Sequence, residues 1–154
     1  EKIPYTLIVD NAVGYLMKIG LVDCIIVGAD RVTSRGDVCN KIGTYLRALA
    51  ARDNNIPFYV ATPSSSIDFE IEDGFQDIPI ENRSESEVTH MYGLIDNQLE
   101  NEFQNIRLSL PGSKAFNPSF DVTPSHLITA FITEKGIFSA DNNSMQTKFR
   151  DKFC

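Results

Sequence analysis

A Rossmann-like α/β fold, doubly wound around a mainly parallel sheet with helices on both faces, is the class this sequence predicts. Three observations predict it. Apolar runs of strand length alternate with amphipathic runs of helix length in the order strand, helix, strand, helix, strand between Ile3 and Ala61. The connections between them are short, which suits right-handed βαβ crossovers. The central run Ile25-Ile26-Val27 is β-branched throughout and lacks period-2 alternation, the pattern of a strand covered on both faces.

The elements follow in chain order. Ile3–Val9 reads as a strand, with Pro4 tolerable near its start. Asp10 can cap a helix over Asn11–Ile19, whose apolar residues Val13, Leu16 and Met17 form one stripe and which Gly20 would stop. Cys24–Val27 is the next strand. Gly28-Ala29 ends it, and Asp30 follows at its carboxyl end, where ligands bind in open α/β sheets.

The helix over Asn40–Asp53 is expected to open on Asn40 as N-cap, with Lys41 and Gly43 in its first turn. A lysine there opposes the helix dipole, so two readings stand. An anionic ligand, such as a phosphate held by free N–H groups and Lys41, would resolve the conflict. A surface lysine turned away from the terminus would also do so. Ile42, Tyr45, Leu46 and Leu49 have the spacing of a core-facing stripe. Ile56–Ala61 is the third strand. In Thr62–Ser66 the serines serve either as a cap for a short turn carrying Asp68 and Glu70, the favoured reading, or as phosphate ligands.

Beyond Asp73 the pattern weakens. Asp77–Ile80 suggests a short strand, Glu81–Glu87 an exposed polar stretch, and 91–107 a surface insertion with loop character. Order returns at Asn117–Pro124, a proline-framed turn. There Asp121 is either a second acid at the crevice or a backbone acceptor. Thr123 and Pro124 would start a helix over Ser125–Thr133, with His126 in its first turn and Leu127, Ile128 and Phe131 inward. Ser144–Phe153 carries one weak helical pattern.

The 154 residues suit a single domain, which at this size buries roughly 70% of its unfolded surface. A net charge of −7 argues against nucleic acid or an anionic membrane as partner. Three cysteines without a CxxC pair, and only two histidines, argue against a zinc site. They point to a reducing, cytoplasmic setting, with the nucleus left open. The chain enters a strand almost at once and has no initiator methionine, so a fragment lacking an N-terminal domain is expected.

Taken together, Gly28–Val32 (GADRV), Asn40–Tyr45 (NKIGTY), Ile56–Asp68 (IPFYVATPSSSID), Ile78–Arg83 with Glu87–Thr89, and Asn117–Pro124 (NPSFDVTP) resemble the C-terminal domain of the methylthioribose-1-phosphate isomerase family. The resemblance runs to about Phe138 and departs at Met91–Ile106. It implies a cofactor-free, metal-free aldose–ketose isomerase of methionine salvage that forms homodimers. It implies Asp30 as proton donor and Asn40 and Lys41 as substrate-binding residues. A second catalytic residue, a cysteine, lies upstream in that family; neither Cys24 nor Cys39 occupies its motif. The alternatives are the regulatory subunits of the translation-initiation nucleotide-exchange factor, which share the fold but carry a glutamate at the Asp30 position, and ribose-1,5-bisphosphate isomerase. Both differ from this sequence at Ser64–Asp68.

Overall fold

A computed structural model describes residues 2–95 and 102–149, apart from the side chain of Asn142. The chain forms two compact units, Glu1–Pro79 with Phe120–Cys154, and Ile80–Ser119. The strands are β1 (Ile25–Val27), β2 (Arg31–Thr33), β3 (Val38–Lys41), β4 (Phe58–Ala61), β5 (Ile67–Asp68), β6 (His90–Ile95), β7 (Glu102–Arg107), β8 (Phe120–Thr123), β9 (Ala130–Thr133) and β10 (Gly136–Phe138). The α-helices are α1 (Val13–Lys18), α2 (Thr44–Asp53), α3 (Gly74–Asp77), α4 (Ser86–Thr89) and α5 (Asn142–Lys148).

The class is mixed α/β, and the strands of the larger unit divide between two sheets. One has the order β1-β4-β9-β10, parallel except for the β9–β10 hairpin. The other has the order β5-β2-β3-β8, with β2–β5 parallel and the other pairs antiparallel. The single mainly parallel sheet expected from the strand–helix alternation is therefore only half of the arrangement. The second sheet grows from the stretch between Asp30 and Lys41, which folds as a hairpin. Its turn closes through Gly36 N–H to Thr33 O and Thr33 N–H to Asp37 O. Gly36 has φ +89°, and a Cβ there would meet Ala140 O at 2.6 Å, so glycine is required for both reasons.

Several elements depart from expectation. The segment Ile3–Val9 forms no strand, and Ile3, Tyr5, Leu7 and Val9 are 75–91% exposed. Apolar pattern says that a segment should be covered; it does not supply the neighbouring strand that completes a ladder. Ile26 is 61% exposed, so β1 is open on one face. Asp10 does not cap; it lies in a 3₁₀ turn (Asp10–Ala12) and pairs with Arg47 at 3.0 Å. Met17 is buried as expected. Gly20, with φ +75°, stops α1 through a Schellman arrangement, Gly20 N–H to Met17 O and Leu21 N–H to Leu16 O.

Helix α2 begins at Thr44, four residues after the expected start, and its buried face is Thr44, Ala48 and Ala51. Ile42, Tyr45, Leu46 and Leu49 are exposed. Asp77–Ile80 is not a strand: α3 ends at Asp77, capped by the Asp73 carboxylate. Ser125–Leu127 is one 3₁₀ turn, Ile128 and Thr129 link it onward, and Ala130–Thr133 of the expected helix is β9. Leu127, Ile128 and Phe131 nevertheless point into the core. In the smaller unit, β6 and β7 pair antiparallel from His90↔Arg107 to Ile95↔Glu102, so the described part of 91–107 is a pair of strands rather than a loop. The polar stretch Glu81–Glu87 is exposed, as expected.

The expected tail helix is present as α5; the remainder of the expected stretch, beyond Phe149, lies outside the described residues. Asp141 caps α5 by accepting Ser144 N–H at 2.8 Å. The Ser139 hydroxyl, then the Ser144 hydroxyl and N–H, pull its carboxyl from the ordinary 3.8 down to about 2. A folded value below the unfolded one means that the stabilisation is complete above about pH 4 and is lost as pH falls towards about 2. Asp141→Asn in the full-length protein should therefore flatten the fall in urea midpoint across that window. Parallel wild-type and variant curves would contradict this assignment.

Candidate active site

Asp30 leaves β1 through Gly28-Ala29 and enters β2, with its N–H bonded to Cys39 O at 3.0 Å. It lines a cleft of about 530 Å³ with Arg31, Ser65, Ser66, Ile67, Asp68, Phe69 and Glu70. The parallel pairing of β2 with β5, Val32↔Ile67 and Thr33↔Asp68, brings the Ser64–Asp68 segment beside Asp30. Arg31 pairs with Asp68 at 3.5 Å, and both are partly exposed, so the pair contributes about 0–1 kcal/mol and chiefly orients the two side chains. Asp30 is exposed.

The cleft carries three carboxylates against one guanidinium, with two serine hydroxyls. Such a lining suits an uncharged, hydroxyl-rich group better than a second anion. Ser64 is engaged elsewhere: its N–H donates to Glu134 at 2.9 Å and its hydroxyl donates to the other Glu134 oxygen. These bonds hold the Glu134 carboxyl below its ordinary range. No serine side chain caps the 3₁₀ turn Ser64–Ser66; an acid from beyond β9 performs the capping.

Asn40 and Lys41 sit on β3, not on the helix. Asn40 is therefore not the N-cap and Lys41 is not in the first turn of α2. The N-cap is Gly43, at φ +93°, a left-handed position that favours glycine. Asp121 supplies the missing cap from across the sheet. Its Oδ2 accepts Gly43 N–H at 2.7 Å and its Oδ1 accepts Tyr45 N–H at 3.0 Å. Of the two readings of Asp121, the backbone acceptor is therefore what the geometry bears out. Lys41 Nζ lies 5.2 Å from the centroid of the Phe120 ring, a cation–π contact that directs the ammonium.

Cys39 is buried between Ile78 and Val122. Burial first, then the Asp30 carboxylate, push its thiol up; Arg31 opposes them, and the Asp121 carboxylate adds the smallest upward effect. A protonated thiol is a poor nucleophile. Cys24 is exposed. His126 is exposed on its 3₁₀ turn, and His90 bonds Thr89 Oγ1 through Nδ1 at 2.9 Å. Among the described residues, no three His, Cys, Asp or Glu side chains converge as a metal site, and no helix is long and apolar enough to cross a membrane. Sequence reasoning overlooked Arg31, Glu134 and the pairing role of Asp68. Only Arg31 carried a signal, as the neighbour of Asp30.

The chain resembles known proteins over nearly its whole length. It is 57% identical over 150 residues to a methylthioribose-1-phosphate isomerase of Methylocella silvestris and 53% identical over 150 residues to one of Gluconobacter oxydans. Each alignment covers 97% of this chain and 40% of the relative, so the chain spans about two-fifths of the length of these proteins. Among solved structures, the 5-methylthioribose 1-phosphate isomerase of Pyrococcus horikoshii superimposes with TM-score 0.81 at 41% identity, over 94% of this chain and 37% of that one. The translation initiation factor eIF-2B subunit delta of A. fulgidus superimposes with TM-score 0.78 at 36% identity, over 94% and 38%. The model of the initiation factor 2 subunit family matches residues 1–140. With the fold shared and almost the whole chain matched, this protein belongs to the initiation factor 2 subunit family.

Proposed function

We propose that this chain is the substrate-binding and proton-donating part of an aldose–ketose isomerase that converts 5-methylthioribose 1-phosphate to 5-methylthioribulose 1-phosphate. The observation that carries the reading is its 57% identity to a methylthioribose-1-phosphate isomerase over 97% of the chain. The geometry supports it, because Asp30 opens onto a cleft whose serines and carboxylates suit sugar hydroxyls. Moving hydrogen between C2 and C1 needs one group to remove a proton and one to return it. Asp30 returns it. The family resemblance assigns the other role to a cysteine carried outside this chain. Asn40 and Lys41 hold the substrate, with Lys41 as the counter-charge for its phosphate.

The test is direct. The full-length protein that carries this chain should convert 5-methylthioribose 1-phosphate to the ketose, followed by NMR, and residues 1–154 alone should not. No conversion by the full-length protein would end the isomerase reading. The likeness to the A. fulgidus eIF-2B subunit favours the second reading, a non-catalytic subunit, and that outcome would select it. Robust turnover by residues 1–154 alone would instead show that the second catalytic group lies within this chain.

A further inference from the structure

We propose that Asp121 and Thr44 are positioning residues for the substrate, acting through the turn that carries Asn40 and Lys41. The inference rests on the reading of Asn40 and Lys41 as the substrate grip. The turn between β3 and α2 is held from both sides. Asp121 faces Asn40 in the β3–β8 ladder. Its carboxylate takes the N–H groups of Gly43 and Tyr45, at 2.7 and 3.0 Å. Thr44 is 1% exposed; its hydroxyl donates to Lys41 O at 2.6 Å and accepts from Asn40 Nδ2 at 3.1 Å. The Asn40 amide and the Lys41 backbone therefore each have a fixed partner, and Phe120, next to Asp121, receives the Lys41 ammonium.

The arrangement also says where an anion does not go. The first donors of α2, where a phosphate would ordinarily dock, already serve the Asp121 carboxylate. The anionic end of a ligand must meet the Lys41 ammonium itself, so its affinity depends on the turn that aims Lys41. Asp121→Asn keeps the shape but sets an amide donor against one of two N–H donors. Thr44→Val keeps the volume and leaves Asn40 Nδ2 without its partner.

The experiment measures Kd, KM and kcat for 5-methylthioribose 1-phosphate in the full-length protein and both variants, with circular dichroism to confirm folding. Loss of one charge-assisted contact should raise Kd and KM about tenfold or more in each variant, while kcat stays within about threefold. A folded variant with wild-type Kd and KM, or with a reduced kcat alone, would overturn the proposal. If Asp121→Asn fails to fold, Thr44→Val decides. A wild-type protein that binds the sugar phosphate without turning it over would remove the isomerase reading and leave the Kd comparison to judge the turn. A wild-type protein that does not bind it overturns both.

Discussion

Replacement of Asp30 by Asn in the full-length protein is expected to lower kcat by about 10²- to 10⁴-fold, the usual worth of a positioned general acid. The Kd for 5-methylthioribose 1-phosphate should stay within about threefold, because the amide keeps the acid's shape and, like the protonated acid, offers one donor group and one acceptor oxygen. The fold should be indifferent. Asp30 is exposed, and its structural bond runs from its backbone N–H to Cys39 O, which the substitution leaves intact. The neighbouring Arg31–Asp68 pair does not use the Asp30 carboxylate. Loss of rate without loss of binding separates a group that moves a proton from one that holds substrate. Steady-state kinetics with calorimetric binding would read both quantities. A near-normal kcat would remove Asp30 from the chemistry.

Phe131→Ala is expected to destabilise the larger unit by about 3–5 kcal/mol, the range for emptying an aromatic site in a core. Phe131 is 0% exposed. It lies on β9 opposite Val60 of β4 and Phe138 of β10, and its ring packs on Phe138 with centroids 5.6 Å apart. The loss would be a large share of the roughly 5–15 kcal/mol that holds a domain folded. Urea denaturation of the full-length protein should show a lower midpoint at an unchanged slope for the transition of this unit. Phe75→Ala is the control: Phe75 is exposed on α3, and its loss should shift stability by no more than about 0.5 kcal/mol. Equal effects of the two substitutions would refute this placing of the core.

Between Ser125 and Thr133 burial is more legible in the sequence than secondary structure. Leu127, Ile128 and Phe131 are expected inside and are inside, yet on a 3₁₀ turn, the link after it and a strand rather than on a helix. Their spacing fits either element, and β9 exists because β4 offers it a partner from Tyr59 to Ala61. The start of α2 was misplaced for a related reason. Asn40 is a good cap by residue type, but the cap that the helix uses is Asp121, 78 positions away from Gly43. A cap supplied from another strand leaves no local mark. The outward apolar residues of α2 were also read inward, since a helical stripe records periodicity and not which face the fold covers.

By itself, the sequence determined the α/β class, the parallel core around Ile25–Val27 and Phe58–Ala61, the position of Asp30 at a strand end, and the motifs that mark the family. These depend on short-range pattern: apolar runs, turn residues and their order along the chain. Only the tertiary structure decided that the Asp30–Lys41 stretch folds as a hairpin in a second sheet, that Asn40 and Lys41 stand on a strand, and that Asp121 closes the turn beyond them. The hairpin pairs Val32 with the nearby Val38, but its sheet partners β5 and β8, and the Asp121 carboxylate, come from far along the chain. The free energy of these pairings is set by which backbone donors and acceptors the fold brings within about 3 Å of one another, and no residue carries that information alone.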